Sequence, residues 1–79
     1  MLYKVYGQNN CMYCTLAVEL LEMLSKDYIY MIIDEDISKA DFRAIFPEAK
    51  TVPQIMSVDN TNIKRIGGYT ELRQLLTGM

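Results

Sequence analysis

Residues 2–34, LYKVYGQNNCMYCTLAVELLEMLSKDYIYMIID, decide the architecture, because the hydrophobic period changes twice within them. Leu2 to Tyr6 alternates branched or aromatic residues with a polar one and stops at Gly7, the pattern of a short strand released into a loop over Gly7 to Asn10. Ala17, Leu20, Leu21 and Leu24 then recur at helical spacing, with Thr15, Glu19, Glu22 and Lys26 on the other side. This predicts an amphipathic helix with Asn10 as its N-cap and a Glu22–Lys26 pair worth about 0.3 to 0.5 kcal/mol on its exposed face. Tyr28 to Asp34 is a nearly continuous apolar and aromatic run, which predicts a strand buried on both faces in a parallel pairing.

Outward from that strand–helix–strand unit, Ser38 and Asp41 form a variant capping box ahead of Phe42, Ile45 and Phe46, a short apolar stripe that ends at Pro47. Pro53–Val58 and Ile63–Ile66 flank the turn-forming run Asp59, Asn60, Thr61, Asn62 and read as an antiparallel hairpin. Gly67 and Gly68 release the chain, and Tyr69, Leu72, Leu75 and Leu76 return to helical spacing. The predicted order is βαβαββα: an α/β chain with one right-handed parallel crossover and a four-stranded mixed sheet flanked by helices. No repeat or linker interrupts it, so residues 1–79 are expected to form one domain.

With 51% hydrophobic and 23% charged residues, the chain has a folding composition. At 79 residues it buries only roughly 60% of the surface its unfolded form exposes, so a ligand is expected in a surface groove and not an internal cavity. The six methionines read as core filler. A net charge of −2, a pI near 4.9 and the acidic run Asp34, Glu35, Asp36 argue against nucleic-acid binding. Tyr28–Ile33 is far shorter than a membrane span, and Met1–Gly7 lacks the features of a signal peptide, so a cytoplasmic, membrane-free location is expected. There two cysteines stay reduced and serve catalysis or metal binding more often than stapling.

Cys11, Met12, Tyr13 and Cys14 place a Cys-x-x-Cys where the first helix begins. A thiol with a pKa near 8.5 is only about 3% thiolate at neutral pH, and the thiolate is the nucleophile. Unpaired N–H groups and the positive end of the helix dipole favour a negative sulfur at Cys11, whereas Cys14, one turn inside, is expected to keep a higher pKa and to be more buried. Positions i and i+3 share a helix face, so the two sulfurs can cycle between dithiol and disulfide. A Cys-x-x-Cys alone serves zinc as readily as redox chemistry. With no third Cys and no His, a closed tetrahedral site cannot be completed in one monomer without carboxylates, so no metal is expected. A purely structural disulfide across two residues would restrain little of the unfolded chain.

Cys11-Met12-Tyr13-Cys14, Thr51-Val52-Pro53 and Gly67-Gly68-Tyr69-Thr70, in this order on a βαβαββα pattern, resemble the glutaredoxins, most closely the small dithiol members that include those of bacteriophages. The resemblance implies a thioredoxin fold and glutathione as reductant. It implies that Pro53 is a cis-proline facing the cysteines and that Val52 offers its backbone N–H and C=O to the cysteinyl part of glutathione. Without the family, Pro53 would be read as a trans residue opening an edge strand. Thr51 belongs to the same segment, and Tyr13 and Tyr69 would lie along the glutathione groove. Gly68 and Thr70, at a helix start, suit the γ-glutamyl carboxylate, although a glycine pair is also common loop punctuation. Glu71 either pairs with the γ-glutamyl ammonium or complements the helix dipole, and Lys50 either faces the glycyl carboxylate or is a solvated loop lysine. Two positions depart from the pattern. Met12 replaces the family's common Pro, which removes rigidity and frees one N–H, and Gln8 stands where many relatives carry Lys or Arg, which argues against a cation beside the thiolate.

The activity implied is glutathione-dependent reduction of glutathione mixed disulfides and protein disulfides by a monomer, ribonucleotide reductase being one family substrate, in the host cytoplasm if the chain is phage-encoded. Cys11 attacks and Cys14 resolves. The rivals are a glutaredoxin-like donor reduced by thioredoxin reductase, an iron–sulfur carrier in which two copies and glutathione hold a cluster through Cys11, and an interaction module with inert thiols.

Overall fold

The computed structural model describes residues 1–78. The elements are β1 (Leu2–Gly7), α1 (Met12–Met23), β2 (Asp27–Ile32), α2 (Lys39–Ile45), β3 (Gln54–Asp59), β4 (Asn62–Gly67) and α3 (Tyr69–Thr77), the order the periodicities predict. They build a four-stranded sheet of order β2-β1-β3-β4. β1 runs parallel to β2, from Leu2 opposite Asp27 to Gly7 opposite Ile32. It runs antiparallel to β3, from Leu2 opposite Val58 to Tyr6 opposite Gln54. The β3–β4 hairpin closes through Asn60 and Thr61, with Asp59 opposite Asn62.

This order overturns the expectation that the 28–34 run is buried on both faces. β3 occupies the far side of β1, so β2 is an edge strand and Ile29 is 43% exposed. The doubly buried strands are the central ones, β1 with Tyr3, Val5 and Tyr6 and β3 with Ile55, Met56 and Ser57. The apolar run of β2 is long because it feeds two cores. Tyr28 and Tyr30 pack against the cluster of Tyr3, Val5, Ala17, Leu20, Leu21, Ile55 and Leu72, to which α1 and α3 contribute. Met31 and Ile33 pack against Tyr6, Phe42, Phe46 and Met56, to which α2 contributes.

Helix termini account for the remaining departures. Asn10 has φ +59°, in the left-handed region, whereas Cys11 at φ −114°, ψ 110° has the extended backbone an N-cap requires, so Cys11 caps α1. α1 ends at Met23, which leaves Leu24 as an exposed C-cap and places Lys26 beyond the helix, outside the i, i+4 geometry. Tyr28 is raised in pKa by burial first and then by Glu22. Among the described residues the ion pair is Lys39–Asp34 at 3.4 Å. Ser38 caps α2 as predicted, its Oγ accepting from the Asp41 N–H at 3.0 Å. In α3, Leu72 is buried but Leu75 points to solvent. Of the methionines expected as core filler, Met56 and Met31 pack, Met1, Met12 and Met23 are exposed, and Met79 lies outside the described residues. No described helix is long and apolar enough to cross a membrane.

Candidate active site

Because Cys11 is itself the N-cap, its sulfur takes the place of the usual capping oxygen. Sγ accepts from the Cys14 N–H at 3.2 Å, and the Cys11 carbonyl accepts from the Thr15 N–H at 3.1 Å and the Thr15 hydroxyl at 3.2 Å. No acid stands in the first turn of α1 to oppose a negative sulfur there. Cys11 and Cys14 are joined in a disulfide with Cα atoms 5.3 Å apart. Their exposures differ sharply, since Cys14 is fully buried at 0% and Cys11 only half-buried. An incoming thiolate or disulfide can therefore reach Cys11 first. When the pair is reduced, the amide at the helix start favours the thiolate at that same atom.

The turn before Cys11 is tied to the end of β2. Tyr30 Oη donates to the Gln8 carbonyl at 3.3 Å, Asn9 Nδ2 donates to Glu35 Oε1 at 2.9 Å, and the Ile33 N–H donates to the Gly7 carbonyl at 2.9 Å. Gly7 has a second role that its reading as punctuation missed. A Cβ there would sit 2.6 Å from Cys14 Sγ, so the absent side chain is the space the buried sulfur occupies.

The resemblance singled out Tyr13, Thr51, Val52, Pro53, Gly68, Tyr69, Thr70 and Glu71, and all eight line one groove of about 250 Å³. The Val52–Pro53 peptide is cis, and Pro53 is buried. Among the described residues neither the N–H nor the C=O of Val52 has a hydrogen-bond partner, which leaves both available to an extended peptide. Gln54 Nε2 holds the neighbouring Thr51 carbonyl at 2.8 Å. The Tyr13 and Tyr69 rings lie 6.2 Å apart. Gly68 caps α3 without a side-chain oxygen, so the N–H groups of Tyr69 and Thr70 at the first turn have no intrahelical acceptor. The Gly68 N–H itself is taken, because Glu71 Oε1 accepts it at 2.7 Å. Glu71 thus serves the helix start, and of the N–H groups at this terminus those of Tyr69 and Thr70, not that of Gly68, remain open. Of the glycine pair only Gly67, at φ +120°, needs glycine torsions.

A second groove, of about 530 Å³, opens at Cys11 and shares Thr51 and Val52 with the first. Lys39, Arg43 and Lys50 line it together with Gln8. Gln8 argued against a cation near the sulfur. The cations come instead from α2 and the segment after it, a convergence that linear spacing from Cys11 does not carry. Among the described residues no group of three or more His, Cys, Asp or Glu is placed to hold a metal.

A half-buried sulfur at a helix start, bonded to a fully buried one a turn on, is the working part of a thiol-disulfide oxidoreductase, and the sheet and helices around it form a thioredoxin fold. Residues 3–63 match the glutaredoxin family model. The chain is 43% identical over 74 residues to Glutaredoxin 1 of Salmonella typhimurium, an alignment covering 85% of this chain and 80% of that protein. The solution structure of reduced Escherichia coli glutaredoxin superposes with a TM-score of 0.76 at 34% identity, covering 99% of this chain and 95% of that one. A buckwheat glutaredoxin solved as a glutathione complex shares the fold, with a TM-score of 0.73 at 21% identity over 96% of this chain and 69% of that one. The chain belongs to the glutaredoxin family.

Proposed function

We propose that glutathione is the reductant of this oxidoreductase, and that its substrates are glutathione mixed disulfides and protein disulfides in a reducing cytoplasm, ribonucleotide reductase being one candidate. The observation that carries this reading is the convergence of eight resemblance-derived residues on one groove beside the cysteine pair. Two parts of glutathione have matching groups there, and the third has one in the adjoining groove. Its cysteinyl backbone pairs with the Val52 N–H and C=O as an added strand would. Its γ-glutamyl carboxylate meets the Tyr69 and Thr70 N–H groups at the start of α3, and its ammonium meets the Glu71 oxygen not engaged by Gly68. Lys50, in the adjoining groove, suits the glycyl carboxylate.

On a mixed disulfide, the Cys11 thiolate attacks the glutathione sulfur, the substrate sulfur leaves as a thiolate, and a second glutathione thiolate then releases oxidised glutathione and restores Cys11. On a protein disulfide, Cys11 attacks one sulfur and the other leaves. Cys14 then gives up its proton and attacks Cys11, expelling the fully reduced substrate, and two glutathiones reduce the resulting Cys11–Cys14 disulfide.

Two cysteine variants and a comparison of electron donors test this. Cys11→Ser is expected to abolish both activities, whereas Cys14→Ser keeps turnover of glutathione mixed disulfides and loses that of protein disulfides. Equal loss in both variants refutes the division of roles. Turnover supported by thioredoxin reductase and not by glutathione refutes the reductant.

A further inference from the structure

The turn that delivers Cys11 to the start of α1 is tied down from β2 and its end, and one of the ties comes from a side chain to which the chemistry above gives no role. Asn9 and Asn10 form a turn between Gln8 and Cys11. Asn10 takes the left-handed torsion φ +59°, a conformation that costs a non-glycine residue free energy and persists where its surroundings hold it. The Ile33 N–H donates to the Gly7 carbonyl and Asn9 Nδ2 to Glu35 Oε1, each at 2.9 Å, which secures both flanks. Tyr30 supplies the remaining tie, its Oη donating to the Gln8 carbonyl at 3.3 Å. The Tyr30 ring packs on the core that α1 helps to build, and its Cε1 lies 3.0 Å from the point a Gly7 Cβ would take, the same point that is 2.6 Å from Cys14 Sγ. One side chain of β2 thus serves both cysteines, its ring on the side of the buried sulfur and its hydroxyl on the turn that leads to the other.

We infer that Tyr30 is a positioning residue for the thiol chemistry: by holding the Gln8 carbonyl, its hydroxyl keeps Cys11 at the capping position, where the Cys14 N–H supports a negative sulfur. That N–H donates to Cys11 Sγ at 3.2 Å with Cys11 in the extended torsions φ −114°, ψ 110°. A turn that relaxes at Gln8 and Asn10 carries the sulfur off this donor, and the support of a helix start is confined to its first turn. The hydroxyl donates to the backbone and not to a sulfur, so its effect passes through the turn. Burial raises Tyr30 above the ordinary tyrosine value, so the phenol keeps its proton, and with it the tie, throughout the range in which a thiol titrates. The charged groups of the two grooves, Lys39, Arg43, Lys50 and Glu71, and Glu35 behind Asn9 are all unaltered when the hydroxyl alone is removed.

Cys11 as the attacking thiol is the premise, and the identity of the reductant is not involved. The full chain, reduced with dithiothreitol and desalted, is alkylated with iodoacetamide at a series of pH values, and modification of Cys11 is followed by peptide mass spectrometry. Wild type is compared with Tyr30→Phe, which keeps the ring beside Gly7 and Cys14 and removes only the hydroxyl. The variant is expected to titrate at a higher pH, so that below its midpoint Cys11 reacts about threefold more slowly, the effect of one modest hydrogen bond, while on the alkaline plateau the two rates agree within about twofold. Tyr28→Phe removes the other β2 hydroxyl that packs on this core, two residues further from the turn, and is expected to leave the titration unmoved. An unmoved titration in Tyr30→Phe overturns the inference. So does an equal move in Tyr28→Phe, or a loss of rate that persists on the plateau, which would mean altered access to the sulfur. Modification of Cys14 in place of Cys11 overturns the premise itself, a failure visible in the wild type alone.

Discussion

A single methyl group added at Gly7 would lie 2.6 Å from Cys14 Sγ and 3.0 Å from both Cys14 Cβ and Tyr30 Cε1. The neighbours that would have to give way are a fully buried sulfur and a ring hydrogen-bonded to the turn before Cys11. Gly7→Ala is therefore expected to destabilise the protein by about 1 to 3 kcal/mol, read as a lowered denaturation midpoint. On the mechanism proposed above, which uses Cys14 only for protein disulfides, the substitution should also slow their reduction more than that of glutathione mixed disulfides. Equal slowing would mean that the glycine matters only for stability. At this scale the sequence was informative about chemistry and blind to contact. The Cys-x-x-Cys is visible as spacing, and Cys14 is more deeply buried than Cys11, as expected. Gly7 reads only as a strand end, because what fills the place of its missing side chain comes from seven residues further on. Asn10 was expected as the cap because asparagine favours that position, yet its left-handed torsion passes the role to the cysteine that follows.

At the scale of elements, the C-terminal end of α2 is held by β4. The Arg65 guanidinium donates to the Ile45 carbonyl at the end of α2 and lies 5.3 Å from the centroid of the Phe46 ring. Arg65→Ala removes both contacts at once and is expected to cost about 1 to 2 kcal/mol. Amide hydrogen exchange should quicken from Ile45 to Thr51 while remaining unchanged in α1. Arg65→Lys should restore little, since an ammonium lacks the planar face that stacks on the ring. Unchanged exchange over 45–51 would show that the segment is fixed by its own packing. Element type and order were legible from periodicity throughout, whereas strand position was not. Pairing β1 with β2 and β3 with β4 follows from a crossover and a hairpin, but nothing local dictates that β3 should lie beside β1. That choice makes β2 an edge, and its long apolar run arises from serving two cores, which a reading of one strand cannot separate from burial between two neighbours.

Across the whole molecule, two apolar clusters lie on a sheet whose central strands contribute to both. Leu72 is fully buried in the cluster that joins α1 to α3. Leu72→Ala is expected to cost about 2 to 5 kcal/mol, a large part of the stability of so small a domain, while the exposed Leu75→Ala should fall within about 0.5 kcal/mol of the wild type in urea denaturation. The tyrosines give the clusters a shared response to alkali. Burial raises Tyr6 and Tyr30 above the ordinary value near 10, and Tyr28 is raised by burial and by Glu22. The folded state therefore holds these protons after the unfolded chain has released them. Stability should be full below about pH 10 and fall as the pH rises from there through the higher folded values. Followed at Tyr6, Tyr28 and Tyr30 as the difference from their Phe variants, tyrosinate formation and loss of structure should rise together, and formation at these positions that precedes unfolding would contradict the burial. At this scale the gathering of Tyr13, Thr51–Pro53 and Gly68–Glu71 around one groove was legible, because three motifs in a fixed order marked those residues in advance. The cationic groove was not, because Lys39, Arg43 and Lys50 are ordinary surface residues until α2 folds over the sheet beside Cys11.

The unequal depth of the two sulfurs has a practical sequel. With its deeper partner changed to serine, the enzyme would hold each client through one outward-facing atom, and every captured species would carry the same single cross-link. Non-reducing gels and peptide mass fingerprinting of such adducts would then supply an inventory of natural clients, complete with the cysteine by which each was hooked.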